Sequence, residues 1–309
     1  MDENMRKIIT PSNILFLALL VLFLIPLENG KIYWFLAGVT TGLKAVQILM
    51  RIFLKSEDNK RSTDDFMVVL FLVFGLWHFF STRVVLLSKL LFPEPDAVLG
   101  MLFSDFFELV TFHLVHSVIL LLSGYVLALA VAIPLGIIIA THGRFLRLAD
   151  PYIKLLGPIP PLVYIPYLIA TLPTFYSASV AVIFLAAFWP ILANTIHGVL
   201  NIPRNLIDSA KVLNLKGPIL LFRVILPGAM PSICNGANLS LLFSFIMLVA
   251  AELIGSSVGV GWYIRHFGMF GDYKRVLTGM IFFGVIITLI TWGTSRIERH
   301  LLKWTDTVK

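Results

Sequence analysis

Charged residues are scarce in this sequence: they make up 13% of its 309 residues, against roughly 25% in an average soluble domain. Hydrophobic residues make up 58%, and the mean hydropathy is +0.92. So little charge cannot cover the surface of a soluble protein, and several apolar runs are long enough for membrane-spanning helices. We therefore predict an all-α polytopic membrane protein.

Cysteine is almost missing as well, because Cys234 is the only one in the sequence. A single cysteine, here inside an apolar run, excludes an internal disulfide and a cysteine-based metal cluster. The sequence also lacks a G-x-x-x-x-G-K-[ST] phosphate-binding loop, so we expect no cofactor in this chain. Acidic residues are nearly absent from the apolar runs, which counts against a secondary transporter, since such proteins commonly carry Asp or Glu at mid-depth.

Eight apolar segments follow one another along the chain, and several prolines interrupt the fifth. Because prolines leave helix carbonyls without partners, we expect that segment inside the bundle. A polar stretch at 55–65 separates an N-terminal two-helix hairpin, 1–54, from the remainder, 66–309. The segments lie at about 14–28, 32–53, 66–82, 113–141, 154–173, 177–198, 229–251 and 276–295.

The basic residues are unevenly divided between the predicted loops. With the N-terminus inside, 17 of the 24 lysines and arginines fall on the cytoplasmic side and 6 on the outer side, while Lys44 lies within a span. Cytoplasmic loops of membrane proteins are enriched in positive charge. We therefore predict that both termini are cytoplasmic, that the first span is uncleaved, and that the net charge of +7 does not reflect nucleic-acid binding.

The loop 201–227, between the sixth and seventh segments, is polar and is predicted to fold as helix, turn, helix on the cytoplasmic side. Asn201 is a suitable N-cap, and Pro203 suits a first helical turn. Asn214 is a suitable left-handed residue after the first helix, and Gly217 with the following proline restarts the chain. The second helix is predicted to run to Pro227, where the next span begins.

The first helix of this loop has two chemically different faces. Leu206, Ala210 and Leu213 recur at i, i+4 and i+7 and make one narrow apolar face. Arg204 and Asp208 lie on another face, four residues apart. Such a helix suits the membrane interface, and it equally suits a docking element for a cytoplasmic partner.

The loop resembles the EAA loop of ABC importer permeases, which reads E-A-A, three residues, Gly, nine residues, I-x-L-P. Here the order is Asp208-Ser209-Ala210, three residues, Asn214, nine residues, and Val224-Ile225-Leu226-Pro227. The similarity extends over roughly residues 66–309, with a core at about 113–297, and favours the nitrate/sulfonate/taurine/bicarbonate branch. Its other segments, in matching order, are GYVLALAVAIPLG, IPPLVYIPYLI, FWPILANTIHGVLNIP, AAELIGSSVGVGWYI and RIERHLLKW.

This resemblance implies a type I ABC importer transmembrane domain of about six helices, with the N-terminal hairpin as an addition. In that family, two permease copies, identical or closely related, form the path through the bacterial inner membrane. Cytoplasmic ABC ATPase subunits hold ATP and Mg and bind the loops, and an extracytoplasmic solute-binding protein delivers the solute. The implied ATPase-coupling residues are Leu206, Asp208, Ser209, Ala210, Leu213, Asn214, Gly217, Leu226 and Pro227.

Two arginines that are frequent in the family are replaced here, one by Leu120 and one within Gly236-Ala237-Asn238. The resemblance implies a small anion such as nitrate, a sulfonate, taurine or bicarbonate, but these replacements leave a neutral or vitamin-precursor solute as an alternative. Polar residues of the spans are candidates for the translocation path, and helix–helix hydrogen bonding is an equal alternative for them. They are Asn194, Asn235, Asn238, Ser240 and Ser244.

Other patterns carry weaker hypotheses. GSSVG, residues 255–259, fits the G-x-S-x-G of serine hydrolases but follows a membrane span and lacks the required strand–turn–helix context. His113 and His116 share a helix face but have no third ligand to complete a metal site. GVTTG, residues 38–42, is either a small-xxx-small packing face or ordinary membrane glycines, and Lys44 is expected to reach the interface or to pair.

Overall fold

The computed structural model describes residues 10–26, 32–54, 56–84 and 90–304, and in these ranges all regular secondary structure is helical. The all-α prediction is therefore confirmed. Within these ranges, six helices are long and apolar enough to cross a membrane, and a bent pair, Gly143–Leu156 with Pro161–Thr171, adds a seventh if it is one span. The bend in this pair is 81° and coincides with the proline-rich fifth segment.

We number the main helices of the described ranges in chain order. The helices are α1 (Pro11–Leu24), α2 (Trp34–Phe53), α3 (Glu57–His78), α4 (Pro95–Ser104), α5 (Phe106–Thr141), α6 (Gly143–Leu156), α7 (Ile165–Thr171), α8 (Phe175–Leu200), α9 (Arg204–Val212), α10 (Gly217–Gly255), α11 (Val260–Met269) and α12 (Tyr273–Leu301). Three π-helical turns lie within or directly after these helices. They are Phe79–Arg83 after α3, Leu109–Leu114 within α5 and Leu221–Ile225 within α10.

The chain forms two compact units. The first runs to Phe106 and includes Phe267–Thr278, and the second comprises Phe107–His266 and the chain from Gly279 onward. In the first unit, α1, α2 and α3 share one apolar core, with Phe23, Leu36 and Phe71 fully buried. The polar stretch predicted at 55–65 is largely helical, because α3 begins at Glu57.

A polar cluster joins the helices of the first unit. Lys44 of α2 donates to Gln47 Oε1 (2.7 Å) and Ser12 Oγ (3.3 Å), and Gln47 Nε2 donates to Asp64 Oδ1 (2.7 Å). Lys44 therefore pairs, which was one of its two expected roles. At Gly38 and Gly42, a Cβ would meet no other heavy atom of the described residues within 4 Å, so these two glycines make no close helix contact within them.

In the second unit, α8 packs tightly against both α5 and α10. Gly124 of α5 lies so close to α8 that a Cβ there would sit 2.7 Å from the Ile183 Cβ. Ala128 and Ala132 continue the same row, fully buried, and Gly136 makes a second close approach. The four-residue spacing of these small residues in GYVLALAVAIPLG therefore forms the seam between α5 and α8.

The start of α10 differs from the prediction. The second helix of the loop was expected to end at Pro227, but the structure continues it without a break into the span, from Gly217 to Gly255. Pro227 has no N–H to donate, and the helix accommodates it by widening into the π-helical turn Leu221–Ile225. The second helix of the loop and the span are thus one continuous helix.

Candidate functional site

The beginning of α9 corrects one prediction. Asn201 does not cap this helix. It ends the preceding helix α8, and its N–H donates to the His197 carbonyl (3.0 Å). The reason is that α8 extends past the predicted boundary at 198 and reaches Asn201 first. α9 then begins at Arg204, with Pro203 in the N-cap position.

The end of α9 confirms the predicted turn. Asn214 has a φ of +57°, in the left-handed region. The Leu215 N–H donates to the Ala210 carbonyl (3.0 Å) and the Asn214 N–H to the Lys211 carbonyl (2.9 Å). This pair of hydrogen bonds around a left-handed residue is a Schellman motif. Gly217, with a φ of +54°, then starts α10.

We predict that Asn214→Val will loosen the end of α9, whereas Asn214→Gly will not. A β-branched residue in the left-handed region costs roughly 1–2 kcal/mol, while Gly adopts this region freely. Hydrogen–deuterium exchange of the loop amides should therefore accelerate about 5- to 30-fold in the valine variant. Equal exchange in the two variants would contradict the assignment of the Schellman motif.

The buried face of α9 includes Ala210, as predicted, but has Ile207 in place of Leu206. Ala210 is buried, and Ile207, three residues before it, packs against the apolar cluster that includes Val199 and Ala229. Leu206, expected on the buried face, is 52% exposed. A helix this short buries a single stripe, and because Ile207 occupies it, Leu206 points about 100° away.

The remaining surface of α9 and the turn after it is exposed and carries both charged or polar and apolar side chains. Val212 is 86% exposed and Leu213, the last of the predicted buried face, is 72% exposed. Asp208 and Lys211 form an exposed ion pair (3.3 Å) beside them, and Ser209 is also exposed. We call Leu206, Val212, Leu213, Ile219 and Phe222 the exposed apolar residues of the loop.

The loop is fixed to the membrane bundle at its far end. Leu226 packs against the same apolar cluster as Ile207, and Pro227 is half-buried in the first turns of the span. The loop therefore has an anchored face and a free face. A free apolar face next to charged side chains has the composition of a protein-binding surface.

Three of the five polar span residues are used within the helix bundle. Ser240 and Ser244 are fully buried and donate to carbonyls of their own helix, Ala237 and Ser240 (both 2.8 Å). Asn194 donates to the Pro190 carbonyl (2.9 Å). It also faces Gly236, where a Cβ would sit 2.6 Å from the Asn194 Cβ.

Asn235 and Asn238, expected on one face of α10, have different surroundings. Asn235 is exposed, whereas Asn238 Nδ2 donates to Glu298 Oε2 of α12 (2.7 Å). The Asn238–Glu298 pair lines a cavity of about 300 Å³ between α5, α10 and α12. Tyr125 also lines it and donates its hydroxyl to the Ala237 carbonyl (2.9 Å). The other lining residues are mainly apolar.

The structure also contains a buried carboxylate network that the sequence reasoning missed. Glu252, at the end of α10, is 0% exposed. Ser117 Oγ of α5 donates to its Oε1 (2.6 Å), and the Gly261 N–H donates to its Oε2 (2.8 Å). The Val260 N–H donates in turn to Ser117 Oγ (3.0 Å). One carboxylate thus holds together α5, α10 and the start of α11.

The conformation of the GSSVG turn depends on this network. Gly259 has a φ of +123°, and a side chain there would collide with the Glu252 carboxylate. Its N–H donates to His113 Nδ1 (3.3 Å), so this ring nitrogen serves as the acceptor. One signal in the sequence could have indicated this network. Glu252 is a lone acid at the end of an apolar span, and His113 and Ser117 lie four residues apart on another helix.

The C-terminus of α10 is capped by an arginine from the next helix. Arg265 Nη1 donates to the Leu253 and Ile254 carbonyls (2.9 and 3.0 Å), and its Nη2 donates to the Ser256 carbonyl (2.8 Å). A cation at the C-terminal end of a helix also complements the helix dipole. Arg265 therefore fixes the turn from its open side, while Glu252 fixes it from the buried side.

The alternative sites have no matching geometry. Ser257 is exposed, and His113 engages the Gly259 backbone instead of this serine. His116 Nδ1 lies 3.9 Å from Glu252 Oε1. Among the described residues, no three His, Cys, Asp or Glu side chains are grouped closely enough to hold a metal ion.

Comparison with known proteins defines the class. Residues 132–305 match the family described as binding-protein-dependent transport system inner membrane component. The chain is 34% identical over 228 residues to a putative ABC transporter permease of Methanocaldococcus jannaschii, covering 72% of this chain and 85% of that protein.

Two further relatives carry more specific names. A putative aliphatic sulfonates transport permease of Bacillus subtilis is 33% identical over 62% of this chain and 70% of its own length. The taurine transport system permease of Escherichia coli is 30% identical over 71% of this chain and 82% of its own.

This chain belongs to the binding-protein-dependent transport system inner membrane components, the permease subunits of ABC importers. It is a multi-pass membrane protein, and its family is one of transport subunits and not of enzymes. The predicted resemblance to the nitrate/sulfonate/taurine/bicarbonate branch is confirmed.

Proposed function

We propose that this permease couples to cytoplasmic ABC ATPase subunits through the loop 201–227. The observation that carries this proposal is the two-sided structure of α9. Ile207 and Ala210 hold one face on the bundle, while Leu206, Val212 and Leu213 remain exposed on the other. An ATPase cleft that receives these side chains would bury apolar area, and each large aliphatic side chain fully buried contributes roughly 1.5–3 kcal/mol.

The mechanism proposed for this coupling is a lever. A force applied to α9 can act on the bundle only if the helix does not deform. The Schellman motif at Asn214 closes the end of the helix, and Leu226 and Pro227 secure the return to the span. ATP binding and hydrolysis, with Mg, would occur on the ATPase and move α9. The spans would then alternate access between the two sides of the membrane.

The proposed assembly follows the family. Two permease copies, identical or closely related, would enclose the path, and an extracytoplasmic binding protein would deliver the solute. We propose that both termini are cytoplasmic, because 17 of the 24 lysines and arginines then lie on that side. The N-terminal portion 1–54 is proposed as an addition to a permease portion at 66–309.

For the solute we propose a small anion of the kind named for the sulfonate and taurine permeases. A neutral or vitamin-precursor solute is the second candidate. The observation in its favour is that Leu120, at one of the two replaced arginine positions, is 1% exposed within the apolar core. Asn238 and Asn235 are the preferred path residues, because Asn194, Ser240 and Ser244 bond within their own helices.

The test of the coupling loop is co-purification of the permease with its ATPase. We expect Leu213→Glu combined with Asp208→Lys to reduce the recovered ATPase at least tenfold, because the first change charges the apolar surface and the second reverses the charge beside it. Leu148→Glu is the matched control, since Leu148 is an exposed leucine of the amphipathic helix α6. Undiminished ATPase recovery and uptake in the double variant would refute the proposal.

A further inference from the structure

One face of α12 changes from apolar to basic along its length. Helical periodicity of about 100° per residue places positions 285, 289, 292, 296, 299 and 300 within an arc of roughly 100°, and position 303 follows in the turn after the helix end at Leu301. The first three are Val285, Leu289 and Trp292, all more than half exposed. The last four are Arg296, Arg299, His300 and Lys303.

The four basic residues enclose a small cleft at the end of this face. A concavity of about 320 Å³ is lined by these four side chains alone. Within the described part of the chain, none of the four forms an ion pair with a carboxylate. Glu298, the acid among them in sequence, lies on the other side of the helix and binds Asn238. Among the described residues, the positive charge of the cleft is therefore uncompensated, which suits an anion.

Trp292 marks the boundary between the apolar and basic parts of this face. The Arg296 guanidinium stacks over its ring, at 5.0 Å from the ring centroid, and the ring is 58% exposed. Tryptophan is enriched where hydrocarbon meets headgroups in membrane proteins. This contact therefore places the basic cleft at headgroup depth, with the apolar part of the face extending into the acyl-chain region.

We propose that this face of α12 binds an acidic phospholipid, with the phosphate in the cleft and an acyl chain along Val285, Leu289 and Trp292. Charge complementarity selects the phosphate, since arginine and lysine side chains at a membrane surface attract anionic headgroups. The cleft is continuous with the apolar part of the face, which a lipid acyl chain can cover and a free anion cannot. A lipid is therefore the better match. With the proposed orientation, the lipid belongs to the cytoplasmic leaflet.

The test uses the full-length permease in nanodiscs, with phosphatidylglycerol or phosphatidylcholine of the same acyl chains as probes. We expect phosphatidylglycerol, but not phosphatidylcholine, to raise the unfolding temperature of the permease and to remain bound to it in native mass spectra. Arg299→Gln with Lys303→Gln should weaken its binding about 30-fold, at roughly 1 kcal/mol for each charge removed. Arg61→Gln with Arg144→Gln, which removes two exposed charges elsewhere, is the matched control.

Each other outcome overturns the assignment. An equal effect from inorganic phosphate at the same concentration would identify a site for a soluble anion. An equal response to both lipids, or equal weakening in the control variant, would show that the face is not selective. Loss of the ATPase from the Arg299/Lys303 variant with lipid binding intact would assign the cluster to that partner.

Discussion

Glu252→Leu is expected to abolish solute uptake and to lower the unfolding temperature of the permease by roughly 10 °C. The carboxylate is fully buried and accepts hydrogen bonds from Ser117 and the Gly261 backbone. Leucine accepts neither, and each buried donor left without a partner costs about 1–3 kcal/mol. Because Gly259 packs directly on this carboxylate, the turn at 255–259 should lose its conformation as well.

Two controls separate this network from a general effect of removing charge. Glu252→Gln retains one oxygen acceptor and should lose less stability than the leucine variant. Glu108→Leu removes a carboxylate near the start of α5, the end of the helix that also carries Ser117. The Glu108 side chain is mostly exposed, so this change should have little effect on stability or uptake. Thermal unfolding in detergent and uptake in vesicles provide the two measurements. If Glu252→Leu and Glu252→Gln have the same unfolding temperature, the hydrogen bonds to the carboxylate do not hold the turn.

Gly236→Leu is expected to reduce the amount of folded permease in the membrane more than tenfold. A Cβ at this position would sit 2.6 Å from the Asn194 Cβ and 3.2 Å from the Pro190 carbonyl oxygen, so the backbone of α8 would have to move. Extra volume in a packed core typically costs 1–3 kcal/mol and more where backbone must shift. The same helix also packs against α5 through Gly124, which leaves it little room to retreat.

The matched control for this variant is Gly284→Leu in α12, where a Cβ meets no other heavy atom of the described residues within 4 Å. Both variants place a leucine in a membrane helix, so only the packing differs. Size-exclusion profiles of a fluorescent fusion measure the folded fraction, and Gly236→Ala should be intermediate. A normal profile for Gly236→Leu would mean that α8 and α10 are not in contact at this position.

Local features of the fold were predictable from the sequence. The class followed from the shortage of charge and the length of the apolar runs. The left-handed turn at Asn214 followed from the residue type and its place after a short amphipathic helix. The break in the fifth segment followed from its prolines. In each case neighbouring residues determine the outcome, so periodicity and turn chemistry are sufficient.

Features that depend on contacts between distant residues were not predictable. Ser117 and Glu252 are 135 positions apart, so no local pattern in the sequence pairs them. The inward face of α9 was assigned to Leu206 because its spacing is regular, whereas contact with the bundle selects Ile207. Asn201 is a good cap by type, but the length of α8 decides which helix it serves.

The continuity of α10 has a mechanical consequence. A helix of 39 residues is about 58 Å long, so one rod joins the loop 201–227 to the Glu252 network near its opposite end. With no coil between them, the two ends cannot be displaced independently by a push along the axis. Events on one membrane face would therefore reach the other by rigid displacement rather than by a relay of side chains.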